Sequence, residues 1–277
     1  MSVLDPLSSA LAAVVAAAHS GLSLLGADPA SGATWLLCIA GVVAVVRVAL
    51  LPLAIHGVRV AHASARARPE LQELAKQYRN RKDPESMRAF LGERRRVAAE
   101  HNMSRLGCLP LVVQLPIWLA LYHLLAGVAA GEPVGAMGPD LVASLGAATL
   151  LGVPLAERGY FGAGWTHLAV VAGLACAAAA VAYVTQRHFV APNTVLSDLP
   201  EAMARTQQLM PAVSALGLVV AGGFVPVALL AYWVCNGAWT MGQAAVVWRW
   251  FPTPGSPAAG RRPGPGPTGC GRRSPRA

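Results

Sequence analysis

Charge is what this sequence has least of. Only 13% of its 277 residues are charged, against 55% hydrophobic, and the mean hydropathy is +0.49. A soluble domain carries about a quarter charged residues, so the deficit points to an integral membrane protein. Cysteine is sparse as well, and Cys38, Cys108, Cys176, Cys235 and Cys270 show no C-x-x-C spacing. Three of them lie in apolar runs, where a thiol behaves as a small hydrophobe. Neither a disulfide framework nor a zinc site follows. Catalytic signatures are missing too. There is no H-E-x-x-H, no G-x-S-x-G and no pair of intramembrane aspartates for a protease. Without a G-x-x-x-x-G-K-[ST] loop, nothing here should hydrolyse a nucleotide. The chain is expected not to be an enzyme.

What is present is a succession of apolar runs separated by basic segments. Residues 1–30 are small and apolar, with Asp5 and Asp28 as their only charges. They lack the basic start of a secretory signal. They are expected to form a helix along the outer membrane surface, with an uncleaved or cleaved signal as the competing reading. The first span falls in 31–56, about Ala33 to Ile55, with Pro52 near its end. Residues 57–105 then carry twelve Arg/Lys and six Asp/Glu. Leu71, Leu74, Ala75 and Tyr78 recur at helical spacing. Asp83-Pro84 reads as an N-cap followed by N1, and Met87, Phe90 and Leu91 share a face of the helix after it. This is a polar helical hairpin.

The second span occupies 106–130. Residues 131–164 form an extracytoplasmic loop whose segment "LVASLGAATLLGVPL" is too short to cross and is expected at the interface. The third span is 165–187, followed by a polar loop over 188–208. Residues 209–248 then carry no charge at all. Forty residues at ~1.5 Å each would cross a ~30 Å core twice. "AGGFVP" marks the break, giving a short fourth span and a fifth within 209–250. The tail, 251–277, is rich in Pro, Gly and Arg without an acidic residue, and is expected to be disordered. Basic loops on the inside place the N-terminus out and the C-terminus in, and the excess positive charge suits anionic lipid. The sequon "NMS", 102–104, is a chance match on that topology, and His123 and His167 are expected to be interfacial or packed.

One charge breaks the apolar pattern. Arg47 lies well inside the first span, where an arginine costs about 2.5–3.5 kcal/mol on insertion scales. It is about nine residues from the cytoplasmic end, a long reach for snorkelling. Polar residues on other spans offer company: Gln114 on the second, Thr185 and Gln186 closing the third. On the fifth, Trp233, Asn236, Thr240 and Gln243 are spaced i, i+3, i+7, i+10 on one helical face. Such a stripe avoids lipid tails. It either bonds between helices or lines a wet cavity, and in both cases it points toward Arg47. No Asp or Glu falls in any of the five spans, so Arg47 has no acidic partner within the membrane. An anionic visitor is the natural consequence.

Four pieces, in order, resemble the YidC/Oxa/Alb membrane protein insertases. They are "VVRVALLPL" (45–53), then "RPELQELAKQY" through "RRRVAAEHNMSRLGCLPLVVQLPIWLALYHLL", then "QQLMPAVSALG" (207–217) and "PVALLAYWVCNGAWTMGQ" (226–243). The small amino-terminal region resembles Gram-positive or actinobacterial forms. The resemblance implies an all-α integral membrane protein with five transmembrane helices around a hydrophilic groove and a cytoplasmic helical hairpin. It implies insertion and folding of nascent membrane proteins, alone or with the Sec translocon, by a monomer that needs no cofactor or metal. Arg47 matches the arginine of the family's groove, Thr185 or Gln186 a groove glutamine, and Trp233 a groove aromatic. The sequence departs from the family at Val227, where a glycine often follows the proline, and at Gly237, where a second asparagine often stands. Clients would meet the hairpin first, and the basic tail could hold ribosomal RNA through its phosphates. The alternative is a small transporter or channel for an anionic solute, against which stands the lack of an internal repeat.

Overall fold

A computed structural model describes residues 5–79, 83–101, 109–162, 164–195 and 201–261. The sequon at 102–104, Cys108, Cys270 and the tail from 262 lie outside the described residues. Almost everything described is helix: α1 (Asp5–Leu24), α2 (Gly32–Ala49), α3 (Leu51–Tyr78), α4 (Pro84–Glu100), α5 (Leu109–Ala129), α6 (Pro139–Ala147), α7 (Trp165–Val184), α8 (Glu201–Gly222) and α9 (Val227–Trp250). The fold is an all-α membrane protein. Four helices are long and apolar enough to cross a membrane by length and composition: α1, α2, the part of α5 from Val112 to Ala129, and the stretch Trp165–Asn193. The short fourth span and the polar-striped fifth fall outside that set, and the expected count of five crossings remains a proposal.

The bundle is assembled around α9. It packs on α7 and α2, α7 also packs on α8, and α1 lies against α2 and α5. Trp35, Cys38 and Val42 of α2, Leu121 and Leu124 of α5, Val171 and Ala175 of α7, and Leu229 and Leu230 of α9 share one buried core. Elsewhere the helices show apolar side chains to their surroundings. Leu209, Val213, Leu216 and Val220 form an exposed stripe on α8, and Val112, Leu115, Leu119 and Tyr122 one on α5. Surfaces of this kind suit hydrocarbon rather than water.

The helix interruptions are chemical. Pro52 has no N–H for the carbonyl of Val48, so the helical path breaks between α2 and α3. Leu50 compensates by donating to Val46 O and Val48 O. Asp83 caps α4 as expected, its carboxylate accepting from Ser86 N at 2.8 Å, with Pro84 at N1.

One end of the bundle is closed by short pieces. The segment after α5 forms α6 and a hairpin of Thr149–Leu150 with Val153–Pro154. The hairpin's two turn residues, Leu151 and Gly152, both have positive φ (51° and 83°), the conformation that matches strand twist in a two-residue turn. This cap finishes α9: Val227 N donates to Glu157 O and Ala228 N to Leu155 O, both 2.9 Å. Two N–H groups that a helix start would leave orphaned are thereby satisfied. Gly32 lets α2 approach it, since a Cβ there would sit 1.9 Å from Thr149 O. His167, expected interfacial or packed, is buried against Glu157 Oε2 (3.1 Å) and Gly159 O (2.7 Å).

Helix α1 meets this same end. Ser9 is beside Gly135 in the segment after α5. Ten residues on, His19 stacks on Trp35 at 4.7 Å and donates to Pro29 O at 2.9 Å. Ser8 Oγ donates to Ala120 O within α5 at 3.4 Å, and between these contacts Leu11, Ala12 and Val15 join the buried core.

At the opposite end α3 and α4 form an antiparallel pair. Ala63, Ala67, Leu74 and Val97 are its buried residues, Tyr78 meets Phe90 at 5.6 Å, and His101 reaches Glu70 at 3.0 Å. Met87 and Leu91, expected on the packed face with Phe90, are exposed.

Three boundaries differ from expectation. Helix α8 starts at Glu201, inside the segment read as a loop to 208. Glu, Ala and Arg are good helix formers, but their polarity hides them from an apolar-period search. The helical path of α7 continues past 187 as a π-turn over Thr185–Val190 and a 3₁₀ turn over Ala191–Asn193. Residues 251–261, read as unstructured tail, fold back instead. Thr253 N donates to Asn193 Oδ1 at 2.7 Å, Ala258 N to Pro192 O at 2.9 Å, and Ala258 is buried. Their Pro and Gly content permits the turn, and the polar atoms of the 191–193 segment supply the partners.

Candidate functional site

The break after α2 puts Arg47 in that helix's last turn. The position favours a cation, because the carbonyl end of a helix is negative. The guanidinium extends to α9. Nε donates to Asn236 Oδ1 at 3.0 Å, and Nη2 donates to the same oxygen at 2.7 Å and to Thr240 Oγ1 at 2.8 Å. Arginine has only donors, so Asn236 must present its oxygen. Thr240 sends its own proton to Asn236 O at 2.8 Å, leaving lone pairs for Arg47. Of the four residues of the α9 stripe, Asn236 and Thr240 make these three hydrogen bonds. Among the described residues no carboxylate forms an ion pair with Arg47. Its charge is solvated by neutral oxygens and is not cancelled.

The predicted residues separate into three groups. Thr185, Gln186, Trp233, Asn236 and Thr240 line one cavity of about 300 Å³. Ala178 and Ala182 of α7, Trp118 of α5 and Ser214 and Leu218 of α8 complete its wall. The π-turn opens directly beyond α7, and such turns widen a helix where function needs it. Thr185 is buried and spends its hydroxyl proton on Val181 O at 2.6 Å. Both Thr185 and Gln186 line the cavity. Gln114 is elsewhere: it shares a narrow void of about 10 Å³ with Arg47, Tyr232 and Asn236, room for about one water. Asn236 is the wall between the two spaces. Arg47 acts on the larger cavity through Asn236 and Thr240 rather than by lining it.

Gln243 is not part of either space. It lines a groove between α3 and α9. It lies two turns beyond Asn236 on nearly the same face, about 10 Å further along the axis, where α3 has taken the place of α2 as the neighbour. Among the lining residues outside the predicted set, Trp118 and Ser214 are the two able to donate a hydrogen bond from their side chains. Trp118 was findable, being one turn beyond Gln114 on the same face. Ser214 carried no signal, since a single serine in an apolar helix is common.

Gly237 has a packing reason. A Cβ there would lie 3.1 Å from Val181 Cγ1, so an asparagine at this position would push α9 off α7. Among the described residues no three His, Cys, Asp or Glu side chains gather as a metal site would require.

The chain matches the model of the 60Kd inner membrane protein family over residues 27–253. It is 31% identical over 245 residues to a protein named membrane protein insertase YidC from Streptomyces avermitilis, covering 85% of this chain and 55% of that one. Proteins of the same name from Bifidobacterium longum (24% over 251 residues; 87% and 73% covered) and Mycolicibacterium paratuberculosis (29% over 244; 78% and 67%) are also similar. The chain thus spans about half the length of the Streptomyces relative.

Proposed function

The chain belongs to the 60Kd inner membrane protein family, a multi-pass group of the bacterial membrane, and from that premise we propose that it is a membrane protein insertase and chaperone. It inserts nascent membrane proteins and helps them fold through a groove open to the cytoplasm, alone or with the Sec translocon. The observation that carries this reading is the uncancelled charge of Arg47, held by Asn236 and Thr240 at the wall of a polar-lined cavity.

The polar or acidic outer segment of a client enters that cavity from the cytoplasm. It meets Gln186, Asn236 and Thr240, and behind them the cation. Arg47 borders only the narrow void, so it acts on the segment through these side chains and not by direct contact. Hydrogen-bonding side chains replace part of the lost hydration, and attraction to Arg47 offsets more of it. The polar segment then has less hydrocarbon to cross. The client's apolar segment leaves sideways, driven by burial among lipid tails. Nothing in this path breaks a covalent bond.

The proposed topology has five crossings, α2, α5, α7, α8 and α9, with the N-terminus out and the C-terminus in. Helix α1 is proposed to lie along the outer surface, and the contact of Ser9 with Gly135, in the segment after α5, supports this. The α3–α4 hairpin faces the cytoplasm, where it receives clients and lies near anionic headgroups. The basic tail serves ribosome binding.

The test is depletion of a bacterial host's own insertase, complementation with this chain or with Arg47→Ala, and protease protection of a single-span client with an acidic outer tail. Rescue by the native chain and failure of a well-expressed Arg47→Ala is expected. A neutral-tailed client should suffer less. Rescue by neither form, in a host with a matched client, overturns the insertase reading. Rescue by both retains it and removes Arg47 from the mechanism.

A further inference from the structure

The groove that holds Gln243 is a second site, and we infer that it binds one anionic phospholipid, with an acyl chain between α3 and α9 and the headgroup phosphate at Arg59 and His62. Its volume is about 700 Å³. The α3 wall is a single stripe, Leu51, Ile55, Val58, Arg59 and His62, and it turns from apolar to basic along the helix. Arg66 continues the stripe one turn further on. The α9 wall is apolar apart from Gln243, and Gly242 keeps it open: a Cβ there would meet nothing within 4 Å.

The dimensions fit a lipid. Leu51 to Arg59 is eight residues, about 12 Å of wall at ~1.5 Å per residue. One leaflet of a ~30 Å core is about 15 Å deep. The basic residues therefore stand at headgroup level when the apolar part lies in the hydrocarbon.

The charge is also available. Arg59 is exposed and makes no ion pair among the described residues. His62 donates to Phe251 O at 3.1 Å, which ties the folded-back segment after α9 to the groove's mouth. A phosphate would complete a site that the apolar walls alone leave without a polar terminus. The proposal is independent of the insertase reading, since the groove shares no lining residue with the larger cavity.

The test is native mass spectrometry of the full chain released from detergent, with phosphatidylglycerol and phosphatidylcholine of identical acyl chains. The wild type should retain one phosphatidylglycerol at least about tenfold more tightly, about 1.4 kcal/mol, because the choline cation of phosphatidylcholine offsets the attraction of its phosphate to Arg59. Arg59→Gln should abolish that preference, while Arg95→Gln on α4, an equal loss of charge, should keep it. Gly242→Leu fills the groove and should weaken both lipids. Val246→Trp fills the same space from the next turn, and either variant suffices if the other fails to fold. Equal retention of the two lipids by the wild type overturns the proposal. So does equal weakening by Arg59→Gln and Arg95→Gln, which would mean diffuse attraction. Unchanged retention in a folded groove-filling variant overturns it too. If an apolar client peptide, and not lipid, is what Gly242→Leu displaces, the groove belongs to clients and the lipid assignment fails.

Discussion

Arg47 and Asn236 stand 189 positions apart in the chain yet are joined at 3.0 and 2.7 Å, so a double-mutant cycle can weigh their contact. Arg47→Met keeps an unbranched side chain and removes the charge. Asn236→Leu keeps the bulk and removes the acceptor. A hydrogen bond to a charged group is worth about 1.5–3 kcal/mol in soluble proteins. Interhelical bonds in a membrane average only ~0.6 and reach ~1.7 kcal/mol, because the separated helices also find partners. The guanidinium bonds Asn236 twice, so a coupling of about 1–2 kcal/mol is expected, at the upper end of that range. The single variants should be unequal. Asn236→Leu leaves a half-buried cation with Thr240 alone, which costs about 2–3 kcal/mol. Arg47→Met loses the same bonds but removes an insertion cost of ~2.5–3.5 kcal/mol, so its net loss should be small or reversed. The assay is unfolding of the full chain in mixed micelles by added sodium dodecyl sulfate, followed by tryptophan fluorescence. Arg47→Met more damaging than Asn236→Leu, or a coupling under ~0.3 kcal/mol, would refute this account of the charge.

Three further outcomes are expected. Gly32→Ala should lower the melting temperature, because its Cβ would fall 1.9 Å from the Thr149 carbonyl, whereas Gly41→Ala, with nothing within 4 Å, should be neutral or stabilising by ~0.5–1 kcal/mol. Gly237→Val should destabilise by about 1–3 kcal/mol as its branch meets Val181, 3.1 Å from the first added carbon, while Gly237→Ala is milder; thermal unfolding in detergent separates the two. Asp83→Ala removes the cap on Ser86 N and should cost the hairpin about 1 kcal/mol, read as faster hydrogen exchange across α4 with the other helices unchanged.

The membrane class, the Asp83-Pro84 helix start and the break at Gly223–Val225 were legible because each rests on local chemistry: hydropathy, a capping carboxylate, residues that end helices. The stripe on α9 was legible for the same reason, since a run of polar side chains at helical spacing cannot face lipid, but only Asn236 and Thr240 of its four members reach Arg47. The start of α8 at Glu201 was not, because a helix without an apolar face leaves no period to find. Nor was the folding back of 251–261, whose hydrogen bonds go to Asn193 and Pro192 some sixty residues earlier. Local reading has no access to partners at such separation.

What the sequence by itself determined is which residues must seek polar company: one arginine in hydrocarbon, and the few amides and hydroxyls able to receive it. What only the tertiary structure decided is how that company is divided. Asn236 and Thr240 take the cation, Gln114 shares its narrow void, Gln186 faces the larger cavity, and Gln243 lines the α3 groove. The division depends on how α2, α5, α7 and α9 rotate and approach one another. Those rotations are set by packing such as Gly237 against Val181 and by the break at Pro52, and close packing is a property of neighbours in space that no single helix encodes.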